Sequence, residues 1–373
     1  MPLSVGQYVL VTGATGFIGA HVVDNLLSRG IRVRIAARSP SKGESMLAAR
    51  LPQFAASTTA GSLLDYVTVP DFSAGKKINL SPALEGGIDG IIHVASPFTY
   101  DTQNNEAELI IPAINGVKAI LSAAAAAAAK TNGQVKRVVI TSSFASVIDL
   151  ERNRIAKEGG SKGEKYFTYT AEDWNPLSYE EAADPSTSAV VAYRGSKKFA
   201  ELAAWEFVNN NSDKCHGFDI VTLCPPMTFG PVVHGVTKRG QLNESNAMIW
   251  KVVKYLKGEE ESMPVSRVPF WVDVRDLAEV HVQALIKGEA GGRRYLVSSL
   301  ERFSYGVVED IVREEFPELV RREKGPDKPE QAIDESYGMD GVTVARDLGV
   351  RYRSFRETVV DLVKQVVVEM EEE

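Results

Sequence analysis

The chain has 373 residues, 44% hydrophobic and 24% charged, with 42 basic against 49 acidic residues and a formal net charge of −7. That length and composition suit one large α/β domain with an appended lobe, or two modest domains. A surface that repels phosphate overall and carries no dense basic run argues against a nucleic-acid partner. Cys215 and Cys224 are the only cysteines. They build no disulfide framework and match no zinc spacing, so a reducing cytosol is the expected compartment.

Met1 to Gln7 runs straight into an apolar strand, without the basic and apolar segments of a secretory signal. No run of about 18 apolar residues suggests a membrane span. The alanines from Ala123 to Ala129 read as strong helix formers ending a core helix.

Short Val/Ile-rich runs predict strands at Tyr8–Thr12, Arg32–Ala37, Tyr66–Val69, Gly90–Ala95, Arg137–Thr141 and Asp219–Leu223. Their near-continuous hydrophobicity is that of strands buried on both faces. Helical patterns lie between them, clearest at Phe17–Arg29, Glu106–Ala129 and Val190–Asn210. The alternation predicts a doubly wound parallel sheet, a Rossmann-type α/β fold. Glu151 to Ser188 is polar and breaks the rhythm as an irregular excursion. After Gly230 the alternation loosens, with helical patterns at Ser245–Lys257, Val274–Lys287 and Phe355–Met370. The expected division is a dinucleotide-binding domain over 1–230, with 268–292 contributing, and a smaller substrate lobe over 231–373.

The first strand leads into Gly13-Ala14-Thr15-Gly16-Phe17-Ile18-Gly19. In this position Gly13 permits a tight turn, Gly16 lets backbone approach a pyrophosphate, and Gly19 allows helix and strand to pack closely. Glycines also occur in ordinary turns; the strand–turn–helix context favours a cofactor loop, with the helix N-terminus toward the diphosphate. Cofactor choice is read after the second strand. An NAD enzyme places a carboxylate there for the ribose 2′-OH, whereas this chain has Arg38, with Ser39 and Lys42 close behind. A guanidinium suits a 2′-phosphate, so NADPH is expected; the alternative is a solvated arginine.

Tyr193 and Lys197 are four residues apart, one turn apart on one helix face. An ammonium near a phenol favours the phenolate and makes tyrosine a usable proton donor near neutral pH. Spacing alone also fits a surface pair. Upstream, the buried run Arg137 to Thr141 ends in Ser142 and Ser143, at the strand end where ligands sit in open α/β sheets. Either serine could bond a substrate oxygen or simply cap the strand.

With these motifs in place, the chain resembles the extended short-chain dehydrogenases/reductases over nearly its whole length. TGATGFIG at 12–19, the TSS strand end and YRGSK carry the likeness. It is closer to the fungal-type NADPH-dependent carbonyl reductases, which include methylglyoxal/isovaleraldehyde reductases, and to related dihydroflavonol reductases. HVASPF at 93–98, IPAINGVKAIL at 111–121, EDWNPLSYEEA at 172–182, YRGSKKFAELAAWEF at 193–207 and WVDVRDLAEVH at 271–281 support that closer match.

The resemblance implies reduction of a ketone or aldehyde, with Ser143, Tyr193 and Lys197 catalytic. Asp71 and Phe72 would lie along the adenine, and Ala95 and Ser96 along the diphosphate and ribose. Thr141 and Ser142 would adjoin the cofactor, and Pro225, Met227 and Thr228 would flank the nicotinamide carboxamide. Two positions depart from the family pattern: many relatives carry Asn where this chain has Ala113, and Asn where it has Cys224. A proton relay through the first Asn is therefore in doubt.

Phe98, Phe144, Met227 and Trp271 adjoin these motifs and are expected to line an apolar substrate pocket, or else to be ordinary core. Asp273 and Asp276, by their place in the family motif, read as structural, and Trp174 and Tyr179 as loop anchors. The five histidines, His21, His93, His216, His234 and His281, show no metal-ligand spacing. The partners expected are a small carbonyl compound and, at most, a second copy of the chain, without membrane or nucleic acid. Rival readings are a hydroxysteroid dehydrogenase, a nucleotide-sugar epimerase, which Arg38 disfavours, and a non-catalytic NADP sensor, which the Tyr/Lys pair disfavours.

Overall fold

The computed structural model describes residues 7–54, 63–69, 79–96, 102–131, 134–158, 166–211, 217–325 and 331–371. Its strands are β1 (Tyr8–Thr12), β2 (Arg32–Ala37), β3 (Leu64–Thr68), β4 (Gly90–His93), β5 (Arg137–Thr141), β6 (Thr168–Tyr169), β7 (Asp219–Cys224), β8 (Met227–Phe229), β9 (Trp271–Asp273), β10 (Arg294–Leu296) and β11 (Gly338–Met339). Seven of them form one sheet in the order β10-β7-β5-β4-β1-β2-β3, all parallel. The order reverses between β1 and β4, which opens a crevice at the carboxyl ends of those strands.

The helices are α1 (Phe17–Ser28), α2 (Pro40–Phe54), α3 (Ile111–Lys130), α4 (Leu150–Lys157), α5 (Tyr179–Ala183), α6 (Ala189–Asn210), α7 (Glu244–Lys257), α8 (Val274–Ile286), α9 (Tyr305–Glu315), α10 (Val342–Leu348) and α11 (Phe355–Glu369). Strand alternation sends side chains to both faces of the sheet. Val9, Val11, Ile92 and Val139 join the core under α1 and α8, while Leu10, Ile91, Val138 and Ile140 join the core under α3 and α6. Because both faces are covered, these runs carry no polar alternation. The helical stretch Glu106–Lys130 is long and apolar enough to cross a membrane. Here it is a core helix: Val117, Ile120, Leu121, Ala124 and Ala128 are buried against the sheet. It opens with a π-helical turn at Glu106–Ile110, just before Pro112, whose ring and missing N–H do not fit a regular helix interior.

A second core holds α7, α9, α11 and the β8–β9 pair together through Phe229, Trp250, Trp271, Phe303, Phe355 and Leu362. The chain returns to the main sheet at β10, beyond both the 230 boundary and the 268–292 stretch expected to contribute. The unit that builds the sheet is therefore discontinuous in sequence. The polar excursion is also more ordered than expected, since α4, β6 and α5 fall within it or at its edge.

Candidate active site

The glycine loop joins β1 to α1. Gly13 has φ +69°, and a Cβ there would stand 2.7 Å from the Ala95 nitrogen, so the turn must be backbone packed on the end of β4. A Cβ on Gly19 would lie 2.2 Å from the Gly13 carbonyl oxygen, which is why α1 can start so close beneath the loop. Gly16 is the N-cap, so no side chain caps the first amides of α1. These amides form a cradle suited to a diphosphate. The Phe17 side chain is turned to other work, packing on the rings of His21 and His234, each at 6.1 Å, and Ile18 packs into the core. Thr15 is half-buried beside them.

Arg38 follows β2 directly and is exposed, with exposed Lys42 in the first turn of α2. The glycine cradle and the two cations at the neighbouring strand end fit a dinucleotide carrying a 2′-phosphate. Asp71, Phe72 and Phe98 lie outside the described residues. Ala95 and Ser96 follow β4 on the same rim, where the Ala95 amide donates to the Thr12 hydroxyl at 3.3 Å.

Tyr193 and Lys197 stand on α6, with the Lys197 ammonium 5.5 Å from the centre of the Tyr193 ring. Lys197 is buried, and burial pushes its pKa down to about 8. It borders a small cavity of about 20 Å³, shared with His93, Ala113, Ser142 and Glu201. Position 113 thus lines the same cavity as the lysine, and its methyl group offers no hydrogen bond there. His93 is pushed down to about 3 by burial and then by Lys197. It is neutral at physiological pH and pairs with the Thr12 hydroxyl at 2.8 Å.

The two serines after β5 separate clearly. Ser142 donates its hydroxyl to the Glu201 carboxylate at 2.6 Å and its backbone N–H to the Leu223 carbonyl at 2.7 Å. It is buried, and both its donors are spent inside the protein. Ser143 caps a short 3₁₀ turn, where its oxygen accepts the Ala145 N–H at 3.1 Å. Its own O–H remains to donate. Thr141, the other hydroxyl on this strand end, bonds His281 at 2.7 Å. With their protons donated to His281 and Glu201, the Thr141 and Ser142 hydroxyls are left only as acceptors toward a cofactor.

Two of the expected pocket residues pack as core, the alternative reading of them. Trp271 is fully buried in the second core with its ring 4.8 Å from Phe355, not on a pocket wall. Phe144 is likewise core, edge-on to Tyr169 and Phe270 at 5.2 and 5.7 Å. Met227 is only half-buried and remains at the mouth of β8. Pro225 is buried, its carbonyl accepting the Phe144 amide at 2.9 Å, and the Thr228 hydroxyl donates to the Pro226 carbonyl at 3.4 Å.

Asp273 caps α8, pairs with Arg275 and accepts the Thr358 hydroxyl. Asp276 holds Arg353. Both serve packing. Among the described residues no group of histidine, cysteine and acidic side chains could hold a metal ion.

One polar assembly escaped the sequence reading. Glu201 lies buried one turn beyond Lys197 and forms an ion pair with Arg294 of β10 at 2.8 Å. It also accepts the Ser146 hydroxyl at 2.8 Å. Burial pushes the Glu201 carboxyl up, but Arg294 and the Ser142 hydroxyl outweigh this and hold it below the ordinary carboxylate range. Cys224 sits 3.6 Å from the same carboxylate and is pushed up to about 12 by burial and that charge, so it is an inert thiol. Arg294 stacks on Trp174 at 3.7 Å, and Tyr179 donates to Glu106 at 2.8 Å. Both aromatic residues do anchor the polar excursion. The repeat of four residues from Tyr193 through Lys197 to Glu201 was the available signal.

The fold and this site define the class. The chain belongs to the NAD dependent epimerase/dehydratase family, whose model matches residues 9–298. Among individual proteins, it is 35% identical over 365 residues to the NADPH-dependent methylglyoxal reductase GRE2 of Saccharomyces cerevisiae, covering 96% of this chain and 98% of that one. It is 31% identical to the ketoreductase azaE of Aspergillus niger, covering 98% of each. The crystal structure of the yeast methylglyoxal/isovaleraldehyde reductase Gre2 complexed with NADPH superposes with a TM-score of 0.80 at 33% identity, covering 97% of this chain and 98% of that chain.

Proposed function

We propose that the protein is an NADPH-dependent carbonyl reductase that converts a ketone or aldehyde to the alcohol, with Tyr193 as general acid. The observation that carries this is the buried Lys197 ammonium beside the Tyr193 ring, on the helix that borders the serine-bearing end of β5. The relatives' NADPH dependence and the cations Arg38 and Lys42 after β2 support the cofactor. When bound, the dinucleotide supplies the hydride.

This chain's residues do the rest. The amides at the start of α1 would hold the diphosphate, and Arg38 and Lys42 the 2′-phosphate. Ser143, whose oxygen already accepts the Ala145 amide, donates its O–H to the substrate carbonyl oxygen. Tyr193 delivers a proton to that oxygen as it gains negative charge. Lys197 would hold the nicotinamide ribose, and its ammonium favours the phenolate left behind. Ala113, which has no hydrogen-bonding side-chain group, takes no part in returning a proton to Tyr193.

We place the enzyme in the cytosol, acting as a monomer or homodimer on small carbonyl compounds. The test is NADPH oxidation against methylglyoxal, short aldehydes, β-keto esters and aryl ketones, with product chirality determined. Turnover of at least one class supports the reading. If no carbonyl compound consumes NADPH while NADPH still binds, the protein is a dinucleotide sensor instead.

A further inference from the structure

We propose that Asn175 is a positioning residue that fixes the distance between Ser143 and Tyr193; this rests on the carbonyl-reductase reading. Asn175 lies in the polar segment between β6 and α5, yet it is buried, 1% exposed. Its carboxamide nitrogen donates to two carbonyls at once: Ala145 at 2.8 Å and Arg194 at 3.2 Å. Ala145 is the residue whose N–H holds the Ser143 hydroxyl oxygen. Arg194 follows Tyr193 directly on α6. One planar group therefore joins the two main-chain segments that carry the catalytic side chains.

The main-chain groups of Asn175 bind the same two elements. Its N–H donates to the Ser146 carbonyl at 2.9 Å, on the serine turn. Its carbonyl accepts the Lys198 ammonium of α6 at 2.8 Å, which also reaches the Leu177 carbonyl at 2.6 Å. Its side-chain oxygen accepts the Leu177 amide at 3.2 Å. The segment is pinned a second time where Trp174 stacks on Arg294, whose guanidinium donates to the Ala171 and Asp173 carbonyls and to Glu201 of α6. A rigid amide with both its N–H donors engaged is a spacer of fixed length. An apolar side chain of the same size would fill the space without fixing the distance.

A displacement near 1 Å at a reacting centre costs up to about a hundredfold in rate. The test is single-turnover oxidation of enzyme-bound NADPH by methylglyoxal, or by the best-used member of the carbonyl panel, followed by stopped flow. The amplitude reports the active fraction and the rate constant reports the step. For Asn175→Ala we expect a rate constant lower by about tenfold to a hundredfold, at full amplitude and with unchanged NADPH affinity. Asn175→Ser, which keeps one shorter donor, should fall between and serves if the alanine variant does not fold. Asn153→Ala is the control: it removes a buried partner of the Tyr169 hydroxyl at 2.7 Å on neighbouring α4 without bridging the serine turn to α6. It should lose stability and keep the wild-type rate constant. A wild-type rate constant in the Asn175 variants, whatever the amplitude, overturns the proposal, as does an equal loss of rate in Asn153→Ala. A wild type that oxidises NADPH with no carbonyl compound would instead indict the reductase reading itself, and an active Tyr193→Phe only the tyrosine's part in it.

Discussion

Replacing Lys197 with methionine should abolish reduction and at the same time make the cofactor-free protein more stable. The ammonium is buried on α6, and burial alone pushes it from 10.5 down to about 8. At about 1.4 kcal/mol per pH unit, holding that charge costs the folded state roughly 3 kcal/mol at pH 7. The sign follows from proton binding. Between pH 8 and 10.5 the unfolded chain holds the proton and the folded chain has lost it, so stability rises with pH across that window. Below pH 8 the cost is complete, and above 10.5 it vanishes. Methionine fills a similar volume without the charge. Guanidinium unfolding of both proteins should therefore show the variant ahead by about 3 kcal/mol at pH 7 and by only about 1 kcal/mol at pH 10. An advantage that is the same at both pH values, or a wild type that is the more stable at pH 7, would refute the claim that the ammonium is held at a cost.

Arg38→Asp should raise KM for NADPH by roughly tenfold or more, the worth of a charge-assisted contact, and leave KM for NADH little changed; equal effects on both cofactors count against a 2′-phosphate site. Acid should destabilise the fold through its buried histidines. His281 donates from Nδ1 to the Leu277 carbonyl and accepts the Thr141 hydroxyl at Nε2, a neutral tautomer, and burial pushes it from 6.5 down to about 4. As pH falls through that window the unfolded chain takes the proton first, so wild type should lose about 2 kcal/mol more than His281→Leu between pH 7 and pH 5. Parallel losses in urea would show that His281 is not the group responsible.

The central strands were legible because residues such as Val9, Leu10 and Val11 are apolar without interruption, the mark of burial on both faces. Helix α2 was not: Gly43 and Pro52 interrupt a polar stretch, and Gly43 is there because a Cβ would strike the Tyr66 ring at 2.3 Å. Three-residue β10 carries too little pattern to be seen, although Arg294 on it anchors the buried carboxylate beneath the site. Tyr193, Lys197 and the glycine loop are readable as local spacings. Asn175, Glu201 and Arg294 come together from separate elements, so only the tertiary fold reveals them as one assembly. Trp271 and Phe144 erred the other way, since adjacency to a motif says nothing about which face a ring presents.

The account stands on Tyr193 delivering the proton. Tyr193→Phe keeps the ring against Lys197 and removes only the hydroxyl, so NADPH should bind as before while single-turnover NADPH oxidation by a carbonyl substrate falls at least about a hundredfold, as expected for loss of a general acid. Oxidation at the wild-type rate in this variant would contradict the account.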